Sequence, residues 1–216
     1  MLNYYKKVID VLDKHLIVGL PTETVYGLGI YYDDEIAYKK LVELKKRDFK
    51  KPIAIMVSEK YELEKHFIIS ENAKKIIDNF LPGPLTILLP IKGEYPYQCH
   101  LGTNVVGIRI PKDKKLQRLL TRIKKPLQVT SFNLSNDKPS TSYKDALKVF
   151  GSNDDVEIIL KGNCKSKIPT TVIDLTSDNI KIIREGEISK EDILEVLKWK
   201  LQLDVITVDL MPKKKL

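Results

Sequence analysis

Residues 16–30, LIVGLPTETVYGLGI, place a short apolar strand, Leu16 to Leu20, directly before a turn of Pro21, Thr22, Glu23 and Thr24, then Tyr26 and the pair Gly27 and Gly29. A strand end holds its loop rigidly, and in open α/β sheets such exits are where ligands collect. Two hydroxyls and a carboxylate within three positions supply donors and acceptors. The two glycines let backbone approach a ligand closely or take φ > 0. The same residues also read as an ordinary strand-to-loop turn, and the stretch matches neither of the common phosphate-loop signatures.

Working outward, MLNYYKKVIDVLDKHL reads as an amphipathic helix with Val8, Ile9, Val11 and Leu12 inward. It lacks the apolar core and cleavage site of a signal peptide, so a cytoplasmic location is expected. After the turn, Asp33 or Asp34 caps a helix running to about Lys46, with Ile36, Ala37, Leu41, Val42 and Leu44 on its apolar side, and its end carries KKRDFKKP. IAIMV (53–57) reads as a buried strand, then SEKYELEKHF and SENAKKIIDNF as two helices capped by Ser58 and Ser70. LPGPLTILLPI, VVGIRIP, LQVTSFN, VEIIL, TTVIDLT and IKIIR read as further strands. Helices are expected up to Ile123, over Tyr143 to Phe150, and from Ser189, whose SKED opens with a serine-x-x-acid capping pattern. LDVITVDL reads as an edge strand and PKKKL as a frayed basic tail, which divides the chain into a domain over 1–200 and an extension over 201–216. Without repeats or linker-like stretches, the whole predicts one α/β domain: a twisted mixed sheet with flanking helices.

At 216 residues, with 43% hydrophobic and 31% charged residues, the chain can build its core without disulfides or metals. No apolar run approaches the roughly 20 residues that cross a bilayer. Cys99 and Cys164 have no metal-type spacing and read as free thiols. The net charge of +8 favours anionic partners such as nucleotides or RNA. Arginine usage says more. Of 37 lysines and arginines only five are arginine: Arg47, Arg109, Arg118, Arg122 and Arg184. In a lysine-rich chain, arginine points to sites needing a planar, bidentate donor for phosphate or carboxylate. Arg118 and Arg122 are four apart and fit an exposed helix face, which leaves Arg47, Arg109 and Arg184 as the candidates.

The polar exits PTETVYG, VGIRIP, TSFNLSNDKPS, PTTVID and IIREG, with KKRDFKKP at a helix end, resemble in order the motifs of the YrdC-like family, the threonylcarbamoyl-AMP synthases, from about Leu16 to Gly186. The resemblance implies a single YrdC-like domain with a concave basic cleft, using ATP, L-threonine and bicarbonate. The product is the activated precursor of the threonylcarbamoyl group on adenosine 37 of tRNA, with tRNA and a threonylcarbamoyl-transferase complex as downstream partners. It further implies that Thr24, Arg109, Thr130 and Thr170 serve threonine, Arg109 through the carboxylate. Arg47, Lys51, Ser131, Asn133, Ser140 and Arg184 serve ATP, and Lys45 and Arg47 form the catalytic pair. The chain departs from the family pattern at Phe132 for an alanine, Asn136 for a glycine and Asp48 for a proline, by Met56 where a histidine is often found, and by lacking the histidine that often follows the VGIRIP proline, with Asp113 nearby. It resembles the short, single-domain form.

Such a reaction brings two anions together, so the expected equipment is cations, backbone N–H groups and a carboxylate clamp rather than a covalent nucleophile. Magnesium is expected to arrive with ATP, held by nucleotide oxygens and water, without a dedicated protein metal site. His15, His66 and His100 are isolated. Two rivals remain: a non-catalytic module binding double-stranded RNA or tRNA, supported by the charge, and the carbamoyl-adenylate enzyme of hydrogenase maturation, disfavoured because its zinc-finger cysteines are absent.

Overall fold

The computed structural model describes residues 2–59, 61–177 and 179–197. Nine strands form one mixed sheet: β1 (Val18–Leu20), β2 (Gly27–Tyr31), β3 (Ile55–Met56), β4 (Leu85–Pro90), β5 (Val105–Arg109), β6 (Leu127–Ser131), β7 (Ile158–Ile159), β8 (Thr171–Asp174) and β9 (Lys181–Arg184), in the order β7-β1-β2-β6-β3-β5-β4-β8-β9. The pairs β1–β7, β3–β5 and β4–β8 are parallel and the other five antiparallel. Around the sheet lie α1 (Leu2–Leu12), α2 (Glu35–Lys45), α3 (Leu63–His66), α4 (Glu71–Phe80), α5 (Tyr97–His100), α6 (Lys114–Ile123) and α7 (Tyr143–Phe150), and a final helix covers 190–197. No helix among the described residues is long and apolar enough to cross a membrane.

Alternation along the strands sorts the core into three clusters. Val8, Val11 and Leu12 of α1 and the leucines of α6 cover Val18, Leu20 and Leu127 on one face. Ala37, Leu41 and Val42 of α2 and Phe150 of α7 pack on Leu28 and Ile30 on the other. At the far end, Leu85, Ile87, Leu89, Val106, Ile108 and Ile173 point to α4 and the final helix. Period-2 patterning therefore turns Thr86, Leu88, Gly107, Arg109 and Val172 the opposite way, to a face that lines a cleft.

The helix starts follow their caps. Asp34 accepts from Ala37 N, Ser70 from Ala73 N and Ser142 from Asp145 N. Ser189 and Asp192 exchange bonds reciprocally at the start of the final helix. Asp113 accepts from Lys115 N and Leu116 N to start α6.

Ser58 differs from expectation. Its carbonyl accepts Tyr61 N in a turn, and the helix is the single turn α3 with Glu62 ahead of it. The Tyr61 ring stacks on His66 at 4.8 Å, and its hydroxyl meets that of Tyr95 at 3.0 Å, so aromatic packing holds this segment instead of a longer helix. Ile36 is exposed, and the buried side of α2 runs through Tyr38 and Lys45. The strand expected over 53–57 is assigned at Ile55–Met56, with Ala54 O accepting from Val129 N and Val57 N donating to Arg109 O on either side, and the expected extension over 201–216 lies outside the described residues.

Candidate active site

The strand exits surround one cleft of about 470 Å³. Of the predicted residues it is lined by Thr24, Arg47, Arg109, Thr130, Ser131, Asn133, Thr170 and Arg184. Thus the three arginines singled out by usage converge. Arg118 and Arg122 lie exposed on α6, with Arg122 above the Tyr5 ring at 4.7 Å.

Arg109 ends β5 and meets the turn after β1. Its Nη2 donates to Thr24 Oγ1 at 2.8 Å, Glu23 Oε1 at 2.9 Å and Thr22 Oγ1 at 3.3 Å. The turn is itself braced, because the Thr22 hydroxyl donates to Val25 O at 2.7 Å and accepts from Thr24 N at 3.1 Å. Both members of the ion pair are almost wholly enclosed, at 11% and 13% side-chain exposure, and Arg109 Nε and Glu23 Oε2 are buried without partners. An ion pair this deep is held by geometry, and removing one member leaves the other costly.

Arg47 follows the left-handed C-cap of α2. Its guanidinium donates to the carbonyls of Lys51 at 3.3 Å and Pro52 at 3.1 Å, which turns it toward the cleft, while burial lowers its pKa without neutralising it. The Lys51 side chain is exposed and outside the lining; only its carbonyl takes part, through Arg47. Ser140 is buried beneath the cleft, its backbone paired with Tyr26 and Phe132.

Lys45, expected as a catalytic partner of Arg47, also lies beneath the lining. Its Nζ, 1% exposed with the rest of the residue, donates to the carbonyls of Ser131 and Asn133 and, at 2.9 Å, to Asn133 Oδ1. Ser131 Oγ donates to the same Oδ1 at 2.6 Å, and Asn133 Nδ2 then donates to Asp137 O. Two donors on Oδ1 decide which way the amide faces. Burial, with Arg47 nearby, takes the Lys45 pKa down to about 7. Lys45 therefore holds the Ser131–Asn133 loop from below the lining.

Arg184 ends β9 and clasps the loop before β8, donating to Thr170 O at 2.8 Å from Nη2 and 3.1 Å from Nε, and to Thr170 Oγ1 at 3.2 Å. Burial and then the Arg109 charge lower its pKa, as expected for two guanidiniums facing one cleft. The Thr171 hydroxyl pins the following loop, donating to Ile188 O at 2.6 Å and accepting from Gly186 N and Ile188 N. A Cβ on Gly186 would come 2.2 Å from Pro169 O, so only glycine lets the loop lie this close.

The departures from the family pattern have local reasons. Asn136 has φ 74°, a left-handed conformation that asparagine visits more readily than most residues other than glycine. Phe132 is fully buried against Tyr26 and Phe150. Gly27 and Gly29 are not at positive φ. They are strand residues whose missing side chains admit Val129 and Leu20, with a Cβ on Gly27 falling 2.5 Å from Val129 Cγ1.

The lining also contains Thr22, Asn136, Asp137 and Pro139, which lie within the quoted polar exits, and Thr86, which no motif contained. A lone threonine in the apolar run LTILLP was the visible signal for Thr86. Among the described residues no three His, Cys, Asp or Glu side chains are grouped to hold a metal ion, and Asp137 is the carboxylate in the lining. Cys99 is buried, its thiol pushed up to about 12, and faces Tyr32 O.

The Sua5/YciO/YrdC family model, described as "Telomere recombination", matches residues 10–186. The chain belongs to this family. It is 38% identical over 187 residues to a putative threonylcarbamoyl-AMP synthase of Methanocaldococcus jannaschii, covering 85% of this chain and 87% of that one. It is 32% identical to the threonylcarbamoyl-AMP synthase of Pyrococcus abyssi, covering 84% of this chain and 53% of that protein, so it spans about half of that longer relative. The solved structure of Pyrococcus abyssi Sua5 complexed with L-threonine superposes with a TM-score of 0.82 at 31% identity, covering 89% of this chain and 57% of that one. Escherichia coli YciO, at 22% identity and TM-score 0.80, shares the fold over 89% of this chain and 94% of its own. The Sua5/YciO/YrdC fold accordingly accounts for the mixed sheet and the placement of its polar strand exits.

Proposed function

We propose that this member of the Sua5/YciO/YrdC family is a threonylcarbamoyl-AMP synthase, a nucleotidyltransferase acting on ATP, L-threonine and bicarbonate. The observation that carries the reading is the convergence of Arg47, Arg109 and Arg184, from three separate segments, on one cleft with Ser131 and Asn133. The names of its relatives favour catalysis over an RNA-binding module of the same fold.

In this reading the threonine amine takes up carbon dioxide as a carbamate. A carbamate oxygen then attacks the α-phosphate of ATP, the bond to the bridging oxygen breaks, and pyrophosphate leaves. Thr24 and Arg109 hold the amino acid, with Arg109 on its carboxylate, and Thr130 and Thr170 flank it. Arg47 and Arg184 face the phosphates, and Ser131 and Asn133, set by Lys45 from below, face the nucleotide. Preorganised donors of this kind act on charge as it develops, and no covalent intermediate is needed. Lys51 acts from outside the cleft, on the outer phosphates as they enter. Magnesium accompanies ATP as part of the substrate. A single lining carboxylate, Asp137, fits an ion held chiefly by nucleotide oxygens and water. The product passes to the threonylcarbamoyl-transferase complex that modifies adenosine 37 of tRNA in the cytoplasm.

The test is pyrophosphate release from ATP by the purified protein without tRNA. Release that requires both threonine and bicarbonate supports the synthase. Release independent of either, or none, overturns it.

A further inference from the structure

Thr86 is the one polar side chain of β4, and its neighbours say why it is there. The strand lies between β5 and β8. The register Ile87↔Ile108 brings Thr86 one step further along, beside Arg109, and the register Thr86↔Val172 sets it against β8. Leu85, Ile87 and Leu89 point into the helix-covered core, so alternation turns Thr86 to the cleft face, where it is 7% exposed and part of the lining. Beyond it, Thr170 Oγ1 stands 2.9 Å from Thr86 Oγ1 and receives Arg184 Nη2 at 3.2 Å.

A proton count follows. The two hydroxyls carry two protons, and one lies in the bond between them whichever oxygen donates. Among the described residues neither hydroxyl has another acceptor. One O–H is therefore without a protein acceptor, and both residues line the cleft. Water can receive this O–H in the cleft, so a ligand that displaces the water must offer an acceptor in its place, which valine would not demand. Arg184 polarises the pair from one side and Arg109 stands on the other, so the acceptor that fits is an anionic oxygen.

We propose that Thr86 is a substrate-binding residue whose hydroxyl, paired with Thr170, donates to the carboxylate of the bound amino acid beside Arg109. The proposal rests on the synthase reading above. A phosphate oxygen of the nucleotide has the same chemistry, but Thr86 adjoins Arg109 across β4 and β5, whereas Arg184 reaches it only through Thr170.

The test is threonine-dependent pyrophosphate release by Thr86→Val, Thr86→Ser and the wild-type chain, with KM measured separately for threonine and ATP. Thr86→Val should raise the threonine KM about tenfold, the size of a bond to a charged group, and leave the ATP KM within about twofold. Thr86→Ser, which keeps the hydroxyl, should restore the threonine KM to within about threefold of wild type. An unchanged threonine KM in Thr86→Val overturns the proposal, as does an increase confined to ATP, which would assign the donor to phosphate. If Thr86→Val does not fold, Thr86→Cys keeps the size with a weak donor and should show the same rise; a wild-type KM there overturns it equally. A wild-type chain without threonine-dependent release removes the synthase reading and this proposal with it, whereas an active wild type with an unaffected Thr86→Val removes only Thr86.

Discussion

Phe132 and Gly19 are shaped to each other: a Cβ on Gly19 would lie 2.8 Å from Phe132 Cε2, with Ile159 Cγ1 and Cγ2 each at 3.1 Å. The ring occupies space that a side chain on β1 would need, at a position where the family usually has alanine. Gly19→Ala should therefore cost about 1–3 kcal/mol by overpacking, and Phe132→Ala about 3–5 kcal/mol by leaving a cavity. The double variant should cost at least about 1 kcal/mol less than the sum, since each change relieves the other. Urea unfolding of the four proteins checks this, and strict additivity would show that the two residues do not share the space.

Arg109 should separate the two substrates. Arg109→Ala should raise the threonine KM far more than the ATP KM, by roughly 30- to 150-fold for a lost charge-assisted contact of about 2–3 kcal/mol. The change also strands the enclosed Glu23 carboxylate. Glu23→Ala added to Arg109→Ala should recover stability without recovering threonine affinity. A weakened ATP KM with an unchanged threonine KM would reverse the assignment.

Arg47 and Lys51 occupy different surroundings, one in the lining and one exposed. Arg47→Lys keeps charge and loses the planar fork, so turnover at saturating ATP should fall by about two orders of magnitude, near 3 kcal/mol. Lys51→Arg should stay close to wild type. A wild-type rate for Arg47→Lys would place that arginine on a solvated basic surface.

Lys45 gives a pH dependence with a definite sign. Its folded pKa, about 7, lies below the ordinary 10.5, so the unfolded chain binds this proton more tightly. Burying the ammonium costs most below pH 7, and the cost shrinks as pH rises from 7 toward 10.5. Relative to Lys45→Met, the wild-type protein should gain on the order of 2 kcal/mol between pH 7.5 and 9.5, approaching the limit of about 1.4 kcal/mol per pH unit. Denaturant unfolding at several pH values measures it. A flat difference would mean that the three oxygen acceptors keep the lysine charged across the whole range.

Much of this architecture was legible in the chain because its signals are local. Period-2 alternation and the Asp34, Ser70 and Ser189 caps located the longer elements. Arginine scarcity pointed to three residues that the fold brings to one cleft. What escaped depends on neighbours far along the chain. Ser58 has a cap-forming side chain, but the Tyr61, His66 and Tyr95 rings shorten the helix behind it. Lys45 reads as a surface cation until the carbonyls of Ser131 and Asn133 are brought to it across the fold. The hydrogen-bonded pair of Thr86 and Thr170 exists only once β4 and β8 are parallel neighbours.

The strand order also bears on how the protein is made. Synthesis on the ribosome delivers Arg47 early and Arg184 after more than half the chain has followed, yet β8 and β9 form one end of the sheet that frames both. A nascent chain carries Arg47 without its opposing cations, and its partly built sheet offers a triphosphate no enclosing wall. Under the proposed function, nucleotide affinity would be withheld from unfinished molecules and would appear only when the last strands dock.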